Sequence, residues 1–169
     1  MQTTNLVNIK IMSDKQELTI DTILSELKQN NIDWQHVLEN VISVFDCTTG
    51  TIHFLDQETK LLQIQAHKGI PPFSIPKLST IPIGKGMAGI AAERKEAVEM
   101  CNLQTDDSGV ARPAAKETKV EGSIAVPMLL NGKLFGTLGI AKPISYDFTE
   151  DERNSLLKIG EAMSKALLA

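Results

Sequence analysis

The sequence predicts an α+β domain in which helices at the two ends of the chain flank a central antiparallel sheet. The first observation is the Asn131-Gly132 dipeptide between two apolar runs, a strong short-range signal for a β-hairpin. These runs carry few charges, so we expect the hairpin at the centre of the sheet with both faces covered. The second is that the long helical patterns lie near the termini, an order typical of α+β proteins and not of doubly wound folds.

Length and composition indicate a single soluble globular domain. The chain has 169 residues, of which 42% are apolar and 22% charged, enough to bury a substantial core. The formal net charge is −4 and no Lys/Arg stripe is present, which argues against a nucleic-acid partner. The sequence has no signal-peptide pattern and no apolar run of transmembrane length, so we expect a cytoplasmic protein that does not bind membranes.

Two helices are predicted towards the N-terminal end. Ser13 and Gln16 have the spacing of a capping box, and an apolar stripe at helical period follows over residues 18–27. Asp33 is a good N-cap for the second helix, whose apolar positions recur over residues 34–45. The part before Ser13 is ambiguous between a further helical turn and an arm.

The middle of the chain is typical of short strands joined by loops. We expect strands at residues 51–55, 61–67 and 97–101, and short helical segments at 87–93 and within 111–118. Four prolines within residues 69–82 prevent regular structure throughout that segment. Near the C-terminus, Thr149 and Glu152 repeat the capping box and begin the last helix.

A glycine motif at residues 84–89 matches the dinucleotide-binding pattern G-x-G-x-x-G. A Rossmann turn needs a buried strand directly before the glycines, whereas a proline-broken segment precedes them here. We therefore interpret the glycines as letting a loop turn sharply into a short helix. The free amides at the start of that helix can still bind an anion.

The histidines and cysteines do not form a recognisable catalytic or metal motif. His53 and His67 lie on neighbouring predicted strands without an assured third ligand, so no metal site is predicted. Cys47 and Cys101 are too few and too far apart for a disulfide framework. The residues alone therefore do not predict an enzyme.

Five segments follow one another in a characteristic order: residues 51–56, 83–91, 123–128, 134–140 and 148–152. This order resembles that of the GAF family of small-molecule sensor domains, over residues 32–169. The resemblance implies an antiparallel sheet of about six strands, with terminal helices on one face and a loop-covered pocket on the other. We expect one domain, with a helical extension over residues 1–30 and the GAF-like core over 31–169.

The resemblance implies a sensory or regulatory domain that binds a small molecule between the sheet and the loops at residues 71–89 and 106–116. An anionic ligand is expected, because a helix start and basic side chains lie in these loops. Neither the ligand nor a cofactor can be named from the sequence. The candidate ligand-binding residues are His53, Gly86, Met87, Cys101, Asp106, Asp107, Arg112 and Lys116.

One alternative is an enzyme. The free methionine-(R)-sulfoxide reductases of this family use cysteines at places where this chain has Leu78, Ala88 and Arg112. A thiolate must attack the sulfoxide, so a diverged reductase would depend on Cys101.

The other alternative is a dimerisation module with a vestigial pocket. GAF-like domains often pair through their terminal helices, so a homodimer is expected whether or not the pocket is functional. Leu18, Leu24 and Leu27 are candidate contacts, unless they cover the sheet within one chain.

Overall fold

The computed structural model describes residues 18–169, which form an α+β fold around one antiparallel sheet, as predicted. The six strands have the order β3-β2-β1-β6-β5-β4. They are β1 (Thr49–Leu55), β2 (Leu61–Lys68), β3 (Thr80–Pro82), β4 (Val98–Met100), β5 (Ser123–Leu130) and β6 (Lys133–Ala141). The α-helices are α1 (Ile20–Glu26), α2 (Trp34–Val44), α3 (Ile75–Leu78), α4 (Gly86–Arg94), α5 (Pro113–Lys116) and α6 (Glu150–Leu168).

The β5–β6 hairpin is built on the turn that the sequence predicts. Asn131 and Gly132 have φ values of 50° and 78°, and both central residues of a type I′ turn need a positive φ. Strand β6 lies beside β1 in the middle of the sheet, and β5 is covered on its other edge by β4. The hairpin therefore lies in the interior of the sheet.

Replacing Gly132 with Val tests the turn. A Cβ atom at this position would meet no other atom within 4 Å, so the cost comes from the positive φ, which a β-branched residue resists. We expect the free energy of unfolding in urea to fall by about 1–2 kcal/mol. Lys133→Val on the adjoining exposed position is the matched control, and an equal effect of both changes would contradict this explanation.

The helix ends follow local capping chemistry. Asp33 caps α2 by accepting a hydrogen bond from the amide of His36, as predicted. Thr149 and Glu152 form the predicted capping box at the start of α6. Helix α1 begins at Ile20 behind a cap at Thr19, whereas the capping box predicted at residues 13–16 lies outside the described residues. No helix in the described part of the chain is long and apolar enough to cross a membrane.

Helices α1, α2 and α6 cover one face of the sheet. Helix α6 packs mainly on β5, and α2 packs on β1 and β2. Ile23 of α1 and Leu27, the residue that follows this helix, are buried in the same core, and Leu24 packs against it. The apolar residues of this segment therefore pack within their own chain. The predicted homodimer stays a prediction. The members of this helix-side core with no measurable exposure are Ile23, Val37, Leu38, Val41, Ile52, Val126, Met128, Ile159 and Met163.

Strand β3 is an element that the sequence pattern does not reveal. Three residues of the proline-rich segment pair with β2, with Ile81 opposite Leu62. The strand lies at the edge of the sheet, where one row of amides needs no partner and a proline is tolerated. This edge strand contributes Ile81 to the wall of a cavity on the sheet.

Candidate functional site

A cavity of about 550 Å³ lies on the face of the sheet opposite α1, α2 and α6. Its floor is formed by β1, β5 and β6, and its walls by residues 70–88 and 103–120. Along β1, Ile52 packs into the helical layer while Thr51 and His53 line the cavity, because successive side chains of a strand point to opposite faces. Small residues at Ala125 and Gly139 leave the floor open. This volume is within the range of small-molecule sites.

The start of helix α4 forms part of the wall. Gly84 and Gly86 have φ values of 89° and 67°, so the chain turns sharply into the helix, as we interpreted the glycine motif. A Cβ at Gly89 would lie 2.5 Å from the carbonyl oxygen of Pro82, so only glycine permits this approach of α4 to β3. Lys85, at the N-cap position, makes no side-chain capping bond, which leaves amides of the first turn without a side-chain partner.

The charged residues that line the cavity all have the same sign. They are Lys77, Lys85 and Arg112, and no Asp or Glu lies in the described lining. Lys77 pairs with Glu117 outside the lining, whereas Lys85 and Arg112 have no ion pair with any residue of the described part. The uncapped helix start adds partial positive charge on the same side. The cavity is therefore suited to an anionic group.

Glu117 joins the two walls of the cavity. Its carboxylate accepts hydrogen bonds from Lys77 Nζ at 2.8 Å and from the buried Ser74 Oγ at 2.6 Å. These two bonds, that of Lys77 first, lower the pKa of Glu117 below its ordinary value. The carboxylate is therefore ionised at neutral pH, and it connects the segment containing α3 to the end of α5.

His53 is the polar residue of the floor, and only 1% of it is exposed. Its Nε2 lies 2.7 Å from the carbonyl oxygen of Leu78, and because a carbonyl only accepts, Nε2 carries the proton. Burial lowers the pKa of His53, so the ring is neutral at pH 7 and Nδ1 is an acceptor. His67 lies opposite Thr51 and not beside His53, and the described residues include no cluster that could hold a metal ion.

Comparison with known families agrees with this architecture. A profile of the GAF domain matches residues 34–167, which is most of the chain. The chain belongs to the GAF domain family. The matched region includes every strand of the sheet, both walls of the cavity and nearly all of α6.

Solved structures with the same fold as this GAF domain come from proteins of different activity. The GAF domain of an Acinetobacter phosphoenolpyruvate-protein phosphotransferase has a TM-score of 0.73 at 19% identity, covering 88% of this chain and 90% of that one. A free methionine-R-sulfoxide reductase from Neisseria meningitidis, in complex with its substrate, has a TM-score of 0.70 at 18% identity, covering 88% and 86%. At these identities the likeness shows the fold alone.

A curated relative is Protein YtsP of Bacillus subtilis (strain 168), which is 28% identical over 97 residues. The aligned region spans 57% of this chain and 57% of that protein, a little more than half of the relative's length.

Half of the predicted ligand-binding residues of this GAF domain line the cavity: His53, Gly86, Met87 and Arg112. The structure places the others, Cys101, Asp106, Asp107 and Lys116, outside the lining. Binding by the first group stays a prediction. The second group gains no support from the geometry.

Bonds within the loop account for two of the residues outside the lining. The Asp106 carboxylate accepts hydrogen bonds from the amides of Ser108 and Ala111. Lys116 Nζ donates to the carbonyl oxygen of Asp106 at 2.6 Å. These hydrogen bonds connect Asp106 to Ala111 and Lys116 within the same loop. The first half of the loop therefore supports the wall formed by residues 112–118.

The cysteines of this GAF domain do not support the reductase alternative. Cys101 is exposed outside the cavity lining, and Cys47 is buried in the core on the helical side of the sheet. Desolvation and the neighbouring Asp147 carboxylate raise the pKa of Cys101, and burial raises that of Cys47 to about 11. Both shifts disfavour the thiolate that such chemistry needs.

Sequence reasoning missed two of the three cavity cations. Lys85 lies inside the glycine motif, between two glycines of positive φ, and that position is a usable signal for a residue at a helix start. Lys77 lies in the proline-rich segment, where no periodic pattern indicates which side chains face the sheet.

Proposed function

We propose that this protein is a sensory or regulatory GAF domain that binds a small anionic molecule in the cavity between the sheet and α4. The observation that carries the proposal is the set of lining charges: basic residues and no acidic one in the described lining. The mostly apolar walls and the volume of about 550 Å³ suit a small organic molecule with one anionic end.

The anion would accept hydrogen bonds from Arg112 and from the first amides of α4. The Arg112 side chain lies against Gly86, since a Cβ on that glycine would meet Arg112 Cδ at 3.3 Å. A guanidinium beside free helix amides is a favourable arrangement for a carboxylate or phosphate.

We extend the proposal to a cytoplasmic homodimer that pairs through its terminal helices.

Arg112→Ala is the test of this site. A hydrogen bond to a charged group contributes about 1.5–3 kcal/mol, so the variant should lose roughly 10- to 150-fold in affinity for an anionic ligand. Arg112 is exposed and has no ion pair among the described residues, so the ligand-free protein should unfold at nearly the same temperature. The measurement is a thermal-shift screen of small carboxylates and phosphates, followed by calorimetric titration.

Lys158→Ala is the matched control, because it removes one exposed positive charge from α6 on the other side of the sheet. A ligand that stabilises wild type and Arg112→Ala equally would remove Arg112 from the site. If no carboxylate or phosphate binds the wild-type protein, the proposed function is wrong.

A further inference from the structure

Gly139 on β6 is a glycine that the fold does not require. Its φ lies outside the region that favours glycine, and an added Cβ would meet only Thr51 Oγ1 at 3.5 Å and the Ile124 carbonyl oxygen at 3.8 Å. The glycines at positions 50 and 136 of the central strands differ, because a Cβ there would lie 2.9 Å from a backbone oxygen or overlap one. Close packing therefore explains those glycines and leaves Gly139 unexplained.

A glycine at this position lowers the stability of the sheet, because glycine loses the most conformational freedom on folding and has no side chain to pack. Glycine in a strand often marks a place where a ligand or another backbone approaches closely. Both atoms near the Cβ position of Gly139 belong to the adjacent strands β1 and β5, so no loop of the described chain lies over it. The space above Gly139 is part of the cavity, which this residue lines.

The backbone of Gly139 is accessible from the cavity. Its sequence neighbours Leu138 and Ile140 belong to the core on the helical side, so the side-chain direction at Gly139 is towards the cavity. Strand β6 lies between β1 and β5, and Gly139 is partly exposed although both sequence neighbours are buried. A molecule in the cavity can therefore contact this backbone without any movement of the chain.

Gly139 also lies in a low part of the floor, which we call the floor patch and define by Ala125, Gly139 and Ala141. Ala125 is opposite Gly139 on β5, and Ala141 is two residues farther along β6, so all three are on the cavity face, and all line the cavity. Neighbouring strands are about 4.8 Å apart and alternate residues of one strand about 6.8 Å. The floor patch is therefore flat, apolar and about as large as one six-membered ring.

A hydroxyl without a hydrogen-bond partner lies at the edge of the floor patch. Thr49 on β1 is opposite Ala141 and lines the cavity. Only 8% of Thr49 is exposed, and its Oγ1 makes no hydrogen bond within the described part of the chain. Oγ1 is not among the fully enclosed atoms that lack a partner, so a small molecule can reach it. A free hydroxyl beside an apolar patch indicates a ligand with a hydrogen-bonding group at the edge of its apolar body.

We propose that the ligand of this cavity is a hydroxylated aromatic acid, whose ring lies flat on the floor patch at Gly139 and whose ring hydroxyl bonds to Thr49 Oγ1. This inference rests on the proposed anion site at Arg112 and deepens it by naming the body of the ligand. Gly139 determines specificity, because a side chain there would fill the space that the ring occupies. Thr49 orients the ring, since its hydroxyl can both donate and accept.

Matched acids test the inference. The probes are the ω-phenyl carboxylates from phenylacetate to phenylbutyrate, each beside the acid of the same chain length without the ring and beside its ortho, meta and para hydroxylated forms. At the length that spans the cavity, burial of the ring should make the phenyl acid bind about tenfold tighter or more than the plain acid. One hydroxylated form should bind about fivefold tighter again. Calorimetric titration measures each ratio.

Two variants separate the two contacts. In Gly139→Ala the added methyl takes the place of the ring, so the phenyl acids should lose about tenfold or more in affinity while the plain acids bind as before. In Thr49→Val the preference for the hydroxylated form should disappear while the unsubstituted phenyl acids keep their affinity, so each variant is the control for the other. Gly139→Ala should unfold at the same urea concentration as the wild type or at a higher one.

Phenyl acids that bind no tighter than the plain acids, or that keep their affinity in Gly139→Ala, would overturn the inference and leave the proposed function standing. A clear fall in the urea midpoint of Gly139→Ala would show that the fold needs this glycine, with the same consequence. A preference for the hydroxyl that is absent, or that survives in Thr49→Val, would overturn the inference as well. If no acid binds the wild-type protein, the inference and the proposed function are both wrong.

A measurement on the wild-type protein does not depend on either variant. The ring current of a phenyl acid lying on Gly139 should move the Hα resonances of this residue upfield, and the plain acid should leave them nearly unchanged. Hα resonances of Gly139 that respond equally to both acids would place the ring elsewhere and overturn the inference.

Discussion

Replacing Gly136 with Ala should lower the free energy of unfolding by about 3 kcal/mol. Gly136 lies on β6 opposite Phe54 of β1, at the middle of the sheet. A Cβ on this residue would overlap the carbonyl oxygen of His53 and come within 3.0 Å of the Met128 sulfur. The carbonyl belongs to the backbone of a central strand, so neither strand can move aside without disturbing its hydrogen-bond ladder.

Gly139→Ala is the matched control on the same strand. A Cβ there would meet Thr51 Oγ1 at 3.5 Å and the Ile124 carbonyl oxygen at 3.8 Å, which are ordinary contacts. We expect its stability to remain within about 1 kcal/mol of the wild type. Urea denaturation measures both variants, and similar midpoints would mean that the close contact at Gly136 does not limit the packing of β1 against β6.

Lys142→Met should cost about 2–3 kcal/mol, the second large effect we expect. The Lys142 side chain is only 5% exposed, and its Nζ donates to the carbonyl oxygens of Phe45 at 2.6 Å and Asp46 at 3.0 Å. These carbonyls follow the end of α2, where helix carbonyls lack intrahelical partners and the helix dipole favours a cation. The ring of Tyr146 lies 4.5 Å from Nζ and adds a cation–π contact.

Met retains most of the apolar stem of the lysine, so the loss in Lys142→Met isolates the ammonium and the two carbonyls it satisfies. Lys165→Met removes an exposed ammonium that pairs with Glu161 on α6 and should change stability by less than about 0.5 kcal/mol. The comparison is made by chemical denaturation at neutral pH. Equal effects of the two changes would show that the buried ammonium contributes no more than a surface charge.

Much of the fold could be predicted because local chemistry determines it. Asn131 and Gly132 occupy positive-φ positions that few other residues tolerate, so this dipeptide between two apolar runs predicts the hairpin. The caps at Asp33 and Thr149 satisfy amides within three residues of themselves. Such signals act over a few residues and do not depend on the rest of the chain. The motifs and their order also resemble those of the GAF family, to which the profile match assigns the chain.

The candidate site was predictable only to the level of its segments. The sequence placed the pocket between the sheet and two loops, and both loops do contribute walls. It did not distinguish Arg112, which faces the cavity, from Asp106 and Lys116, whose charges are used by bonds within the loop. All three are charged residues in one irregular segment, where no period of two or 3.6 residues assigns a side chain to a face.

Only the tertiary structure decided the remaining features, because each depends on residues far apart in the chain. Lys142 meets the carbonyls of Phe45 and Asp46 nearly a hundred positions earlier, and Glu117 meets Lys77 across forty. The tautomer of His53 depends on the Leu78 carbonyl, which accepts a hydrogen bond from Nε2, and the strand register places Thr137 opposite His53. The sequence by itself determined the strands other than β3, the hairpin turn, and the caps at Asp33 and Thr149. The packing of the loops on the sheet determined which side chains the cavity presents, because burial and long-range contacts exist only in the folded chain.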